Sequence, residues 1–297
     1  MATVTPPATS SRGKTVILPP YRAGQRAGTA LGQPGRLSKV LTTVVPPVVV
    51  FATFVVLWQV VCSALNVPHY LMPKPTDIVA AGVTKGDIIA TAILSTFTEA
   101  VIGLTLAVFL GMAAGLVMSQ SKLLERSIYP FAILLQTIPL IAYAPLIVIW
   151  VGAGMNAIII ISFIIALFPM ISNTIAGLTA TDHNLVSMFE LYNANWFQRT
   201  FKLRLPAAMP YVMTGLRISS GLAMIGAVIG EFIAGIGGLK GGLGYLIVSA
   251  ANRLELSSVF AAALASSLLG IVVFIGVSFL SNRFLRHWHE SAVTREN

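Results

Sequence analysis

The sequence predicts an all-α integral membrane protein with about six transmembrane helices. Three observations carry that expectation. The 297 residues are 56% hydrophobic and only 10% charged, at a mean hydropathy of +0.85, whereas a soluble domain holds roughly 25% charged residues. The apolar residues fall in long unbroken runs and not in the alternation of a membrane barrel, so the spans are helical. Lys and Arg collect in alternate connections between those runs, which sets orientation in a membrane. The net charge of +9 therefore points to lipid and topology, not to nucleic acid.

Residues 1–38 are rich in Pro, Gly, Ser, Thr and Arg, with no apolar run longer than Val16–Leu18. They read as a disordered basic tail. No apolar core followed by a small-residue cleavage site is found there, so the first span is expected as a retained helix. It covers about 41–65, with Pro46 and Pro47 near its entry, where missing N–H groups cost least. A loop punctuated by Pro68, Pro73 and Pro75 follows, and Thr76-Asp77 can cap a short helix within it. Five more spans are expected near 91–118, 128–150, 156–178, 208–230 and 258–282. Each has the ~20 residues that cross a hydrocarbon core of ~30 Å. The transmembrane domain is thus 39–286, followed by a short tail at 287–297.

Fourteen of the nineteen Lys and Arg lie in the N-terminal tail, in two connections (Lys122, Arg126; Arg199, Lys202, Arg204) and beyond the last span. Only Lys74, Lys85, Lys240 and Arg253 lie on the opposite side, and Arg217 falls inside the fifth span. The positive-inside rule then places both termini and the 190–206 connection in the cytoplasm.

Within the spans, Gly111-x-x-x-Gly115 and Gly226-x-x-x-Gly230 let helix backbones approach closely. Intrachain packing is the first reading and a moving seam between subunits the second. Pro139, Pro145 and Pro169 bend their helices, and bends around Gln136, Tyr143 and Trp150 suit a translocation pathway. Three ionisable groups sit at membrane depth, where a charge faces protein, water or a partner. Arg217 can snorkel toward the cytoplasm. Glu99 is expected to pair with Thr96, Thr98 or another helix. Glu231, just before the glycine-rich run 235–244, is either a gate in the pathway's outer mouth or a carboxylate capping nearby backbone. Cys62 is a lone thiol in an apolar run, inert and without a disulfide partner.

Several chemistries are excluded by what these motifs lack. The glycine run matches neither phosphate-binding pattern, since Lys240 occupies the place of the last glycine; it reads as a re-entrant turn. His287-x-His289 has no companions at metal spacing. No nucleophile–base or paired-carboxylate constellation sits at a membrane surface, so no enzyme activity is expected.

The connection Glu190–Pro206 is the most polar and basic stretch in the hydrophobic part of the chain. Thr181-Asp182 offers N-cap oxygens. Leu185, Met188, Phe189 and Tyr192 then form a one-sided apolar stripe at helical spacing. Asn193 breaks the helix, because it tolerates left-handed geometry. A second short helix is expected through Trp196, Phe197, Thr200 and Phe201, stopping before Pro206. Such a helix–turn–helix either docks a partner protein or anchors the loop at the membrane surface.

The run Tyr192-Asn-Ala-Asn-Trp-Phe-Gln-Arg-Thr-Phe-Lys-Leu-Arg-Leu-Pro-Ala-Ala-Met-Pro210 resembles the cytoplasmic loop of binding-protein-dependent ABC-transporter permeases, specifically their nitrate/sulfonate/taurine-type branch. Further runs match in order: Leu71–Asp77, Gln136-Thr-Ile-Pro139, Ala144-Pro-Leu146, Trp150–Gly154, Gly215-Leu-Arg217, Gly230-Glu-Phe232 and Gly242-Leu-Gly244. The family's usual glycine is Asn193 here, and its usual tryptophan is Phe197, with Trp196 one place earlier. The resemblance covers about 40–285 and omits the tail. It implies a permease subunit that pairs with a second permease copy and receives its solute from an extracytoplasmic binding protein. It also implies a separate cytoplasmic ATPase, so this chain holds no cofactor and ATP is bound by the partner. The coupling residues implied are Glu190, Tyr192, Asn193, Ala194, Phe197, Gln198, Leu205 and Pro206. Gln136, Tyr143, Trp150 and Glu231 are the pathway candidates. The solute is a sulfonate, taurine, nitrate or bicarbonate-type anion, or a small heteroaromatic such as a pyrimidine precursor or riboflavin. The competing class is a secondary transporter or channel that runs without an ATPase.

Overall fold

The computed structural model describes residues 36–235 and 241–289. The expected tail up to residue 35, residues 236–240 of the glycine-rich run and the last eight residues lie outside that description. By its contacts the chain divides into two units, Met1–Thr53 and Phe54–Asn297. The first holds the opening of α1 (Arg36–Ala64). That helix begins upstream of Pro46 and Pro47, so these prolines lie inside it and not at its entry. From Val45 the helix is apolar, and Val48–Phe51 are exposed, as a face meeting hydrocarbon would be.

The second unit is all helical among its described residues. It contains α2 (Pro75–Thr84), α3 (Gly86–Met118), α4 (Lys122–Thr137), α5 (Leu140–Val151) and α6 (Met155–Thr179). After these come α7 (His183–Leu191), α8 (Trp196–Arg199), a π-helical turn (Thr200–Arg204), α9 (Leu205–Ala234), α10 (Leu243–Asn252) and α11 (Leu256–His289). The start of α2 uses Asp77, whose carboxylate accepts from the Lys74 N–H at 3.3 Å.

Five helical stretches among the described residues are long and apolar enough to cross a membrane: Val45–Ala64, Gly86–Met118, Met155–Thr179, Trp196–Ala234 and Leu256–Leu285. The stretch expected as a third continuous span, 128–150, is instead broken into α4 and α5. Pro139 has no N–H to continue the ladder, and it forces Ile138 into extended backbone at φ −69°, ψ 124°, as the residue before a proline prefers.

Helix α6 is the centre of this unit, with α3 on one side and α9 on the other. Its Ile158, Ile161, Ala166 and Met170 are buried. The close approach comes from small residues. A Cβ on Gly111 would lie 2.6 Å from the Met170 Cβ, and one on Gly115 would lie 2.7 Å from the Thr174 Cβ. From the other side, a Cβ on Gly226 would lie 2.8 Å from the Ser162 Cα. Both glycine motifs therefore serve intrachain packing. Serine hydroxyls tie the same seam: Ser162 donates to the Ala223 carbonyl at 2.9 Å and Ser219 to the Ala166 carbonyl at 2.7 Å. Such bonds satisfy hydroxyls that hydrocarbon cannot.

Candidate functional site

The connection between α6 and α9 is a helix–turn–helix with both of its helices capped. Asp182 caps α7 by accepting from the Asn184 N–H at 2.9 Å. Leu185, Met188 and Tyr192 are exposed and Phe189 half-buried. At the far end Asn193 adopts φ 51°. The Ala194 N–H reaches the Phe189 carbonyl and the Asn193 N–H the Glu190 carbonyl, both at 2.9 Å. That pair of bonds is the Schellman closure, which satisfies carbonyls orphaned at a helix end. Asn193 thus makes the left-handed turn for which the residue was singled out.

Asn195 then opens α8 with a reciprocal cap. Its side chain accepts from the Gln198 N–H at 2.8 Å, and Gln198 accepts from the Asn195 N–H at 3.0 Å. Gln198 is thereby committed to the turn. Glu190 reaches across it to Arg199, Oε1 to Nη1 at 2.7 Å. Trp196 donates its indole N–H to Gln120 at the end of α3. Phe197 is left 63% exposed and stacks on Phe201 at 5.1 Å. Tyr192, Leu191 and Phe197 are thus the most exposed of the large apolar side chains that this loop presents outward.

The expected stop before Pro206 is not found. The chain runs from α8 through the π-helical turn into α9 without a break. In that turn the Leu205 N–H bonds back to the Thr200 carbonyl. The ladder is already changing register where Pro206 would need a donor, so the proline costs little there. Leu205 and Pro206 are half-buried at the start of α9.

The second feature lies at the α4–α5 break. A cavity of about 290 Å³ is lined by Gln136, Thr137, Pro139, Tyr143 and Phe168, together with apolar side chains of α6 and α9. The structure brings Gln136 and Tyr143 together here. It leaves Trp150 outside, 75% exposed.

Glu231 is also elsewhere, 1% exposed between helices. Its Oε1 accepts from the Thr96 hydroxyl at 2.6 Å and its Oε2 from the Gly244 N–H at 2.5 Å. Of the two sequence readings, these contacts are those of the backbone cap. Gly244, at the start of α10, belongs to the glycine-rich run just after Glu231, whereas Thr96 on α3 lies far away in sequence and no local pattern reveals it. Glu99 is buried beside Glu231 of α9, so of its expected partners it meets another helix, through a second carboxyl, and not Thr98. Arg217 does not snorkel: it donates to Ser281 at 3.1 Å and to Asn282 at 2.6 Å, both on α11. No group of three or more metal-ligating side chains occurs among the described residues.

The described residues thus form a helical unit in which one capped, polar helix–turn–helix leads unbroken into a span. The family model described as "Binding-protein-dependent transport system inner membrane component" matches residues 103–286, and the chain belongs to that family of ABC-importer permeases. It is therefore a multi-pass inner-membrane protein. A probable ABC transporter permease protein of Haemophilus influenzae is 31% identical over 80% of this chain and 96% of its own length. The formylaminopyrimidine transport permease protein of Halalkalibacterium halodurans is 32% identical, over 80% of this chain and 94% of its own. The solved inward-facing MetNI methionine ABC transporter shares the fold, with a TM-score of 0.58 at 17% identity, covering 69% of this chain and 97% of that one.

Proposed function

We propose that this permease lines the pathway of an ATP-driven importer and takes its driving force through the α7–α8 loop from a separate cytoplasmic ATPase. Two permease copies enclose the pathway, and an extracytoplasmic binding protein loads it. The observation that carries this reading is the helix that is continuous from Trp196 to Ala234. A partner that grips Tyr192 and Phe197 thereby moves α9, and α9 packs on α6, the centre of the unit. Glu190 holds Arg199 in place within the loop, while Asn193, Ala194 and Gln198 set its shape. A secondary transporter has no use for such a lever.

The cavity supports a finer reading of the solute. None of its lining residues is charged. A nitrate or sulfonate is bound best by cationic or convergent charge-assisted donors, whereas an apolar cleft with a few placed polar groups suits an uncharged ligand. Gln136, Thr137 and Tyr143 beside the ring of Phe168 favour a small neutral heteroaromatic. The relative named for formylaminopyrimidine transport supports the same choice.

Uptake into proteoliposomes carrying the permease, its ATPase and its binding protein tests both levels. Uptake is expected only with ATP and the ATPase, and transport without either overturns the coupling reading. Glu190→Lys, which breaks the pair with Arg199, is expected to abolish uptake while insertion persists; normal co-purification of the ATPase with that variant counts against docking here. Competition by neutral heteroaromatics and not by sulfonates or nitrate is expected, and the reverse overturns the solute assignment alone.

A further inference from the structure

The contacts around Glu231 are those of a clasp on α10. Three helices meet there. The Thr96 hydroxyl of α3 has one hydrogen and two acceptors in reach, Glu231 Oε1 at 2.6 Å and the Ala92 carbonyl at 3.0 Å, of which Glu231 is the nearer, while its oxygen accepts the Leu243 N–H at 2.9 Å. The Gly244 N–H, in the first turn of α10, meets Glu231 Oε2. A hydroxyl can play both parts at once. The glycines on either side of Leu243 make the approach possible: a Cβ on Gly242 would fall inside the Glu231 carboxylate, and one on Gly244 would collide with the Val228 carbonyl. Leu243 itself is fully buried. Among the first N–H groups of α10, which no intrahelical carbonyl satisfies, these two are taken by α3 and α9.

With the Thr96 hydrogen on that nearer acceptor and the Gly244 N–H fixed by the backbone, both oxygens of Glu231 accept, as an ionised carboxylate's do. Glu99, 2% exposed, lies against it, and Glu99 Oε2 has no hydrogen-bond partner. Among the described residues no Lys, Arg or His reaches either group. Two adjacent buried carboxylates in an apolar interior repel each other and lose hydration that nothing replaces. A single proton on Glu99 relieves both penalties, because the neutral acid has a hydrogen to donate and Glu231 an acceptor lone pair to spare.

We propose that Glu99 and Glu231 form a one-proton site, with Glu231 as the anion that fastens the start of α10 to α3 and α9 and Glu99 as the neutral acid beside it. Releasing α10 strips Glu231 of the Gly244 donor, so the clasp and its proton together govern the movement of that helix. This is independent of how the loop couples to an ATPase.

The two carboxyls then respond differently to the same substitution. In Glu99→Gln the amide N–H still donates to Glu231. In Glu231→Gln an amide NH₂ faces either the Thr96 O–H or the Gly244 N–H, donor against donor. Infrared spectroscopy of the full-length protein in lipid at neutral pH is expected to show a buried protonated carboxyl that Glu99→Gln removes and Glu231→Gln retains. Hydrogen exchange of the 241–252 peptide is expected to stay near wild type in Glu99→Gln. It should accelerate about tenfold or more in Glu231→Gln, the size of a lost hydrogen bond to a charged group. Should Glu231→Gln not insert, Thr96→Val gives the same reading by freeing the Leu243 N–H. Absence of the acid band in wild type, its survival in Glu99→Gln, or equal exchange in the two glutamine variants overturns the proposal.

Discussion

Asn193 holds φ 51°, a conformation that costs an ordinary side chain about 1–2 kcal/mol and glycine nothing. Asn193→Gly is therefore expected to keep the loop closed, as the family's usual glycine would, while Asn193→Val opens it by about that amount. Hydrogen exchange of the Ala194 amide, which the turn ties to Phe189, reads the difference; equal exchange in both variants would show that the backbone here is not strained. Glu190 and Arg199 keep 55% and 31% of their side-chain surface exposed, and such pairs contribute at most ~1 kcal/mol. Glu190→Gln should therefore leave thermal stability nearly untouched, so that a transport defect in it reports on docking. Gly111 is the opposite case, a residue needed for what is next to it. Gly111→Ala pushes a methyl against Met170 and is expected to lower stability by about 1–3 kcal/mol through overpacking. Gly270→Ala, with nothing within 4 Å of its Cβ, should be neutral or gain about 0.5–1 kcal/mol. Thermal unfolding in detergent separates them, and similar shifts in both would falsify the assigned seam.

The break at Ile138-Pro139 separates α4 from α5 and lets Gln136 and Tyr143 face one cavity. Pro139→Ala restores the missing donor and relieves the extended bias on Ile138. It is expected to join the two helices, leave melting temperature unchanged or higher, and cut ATP-driven uptake severalfold. Full uptake in that variant would mean that the break does not shape the pathway. The same element shows where sequence reasoning stops. Long apolar runs locate four of the spans to within a few residues, because lipid or protein around every face leaves no polar interruption to misread, whereas the stretch expected from 208 begins already at Trp196. Prolines are ambiguous, since Pro130, Pro145, Pro169 and Pro210 all sit inside helices and only Pro139 ends one. Neighbouring helices decide that, and no run of residues records them. Pro206 misled for a related reason: the π-helical turn before it removes the clash on which a stop depends. The turn at Asn193 was legible because its cause is local. The Glu231 contact to Thr96 was not, because Thr96 lies 135 positions away.

Across the second unit the described ion pairs are few, and each lies outside the apolar stretches or, for Arg199, in the first turn of one. Lys85, between α2 and α3, bonds Glu255, just before α11. The Lys85 ammonium beside it holds the Glu255 carboxyl below its ordinary range. A lowered carboxyl contributes stability above its unfolded-state titration and loses it as pH falls through the folded one. The contribution is small and screened, since Glu255 is open to solvent. Glu255→Gln should therefore lower the melting temperature slightly at neutral pH, and the difference should vanish in acid or high salt; a difference that grew in acid would reverse the sign assigned here. Lys85 also belongs to the sparse basic set that the charge distribution places outside, opposite the Arg199–Arg204 cluster. Thiol labelling tests that orientation directly. Cys62 is 1% exposed, so a Cys62→Ser background removes a thiol that is already hidden. Into it Asn195→Cys and Asn252→Cys each place one exposed thiol, on the α8 cap and at the end of α10. An impermeant maleimide added to intact cells is expected to label Asn252→Cys and spare Asn195→Cys, and inverted vesicles should give the reverse. Labelling of Asn195→Cys from outside would put the loop on the wrong side for a cytoplasmic ATPase, and the coupling route through α9 would fall with it.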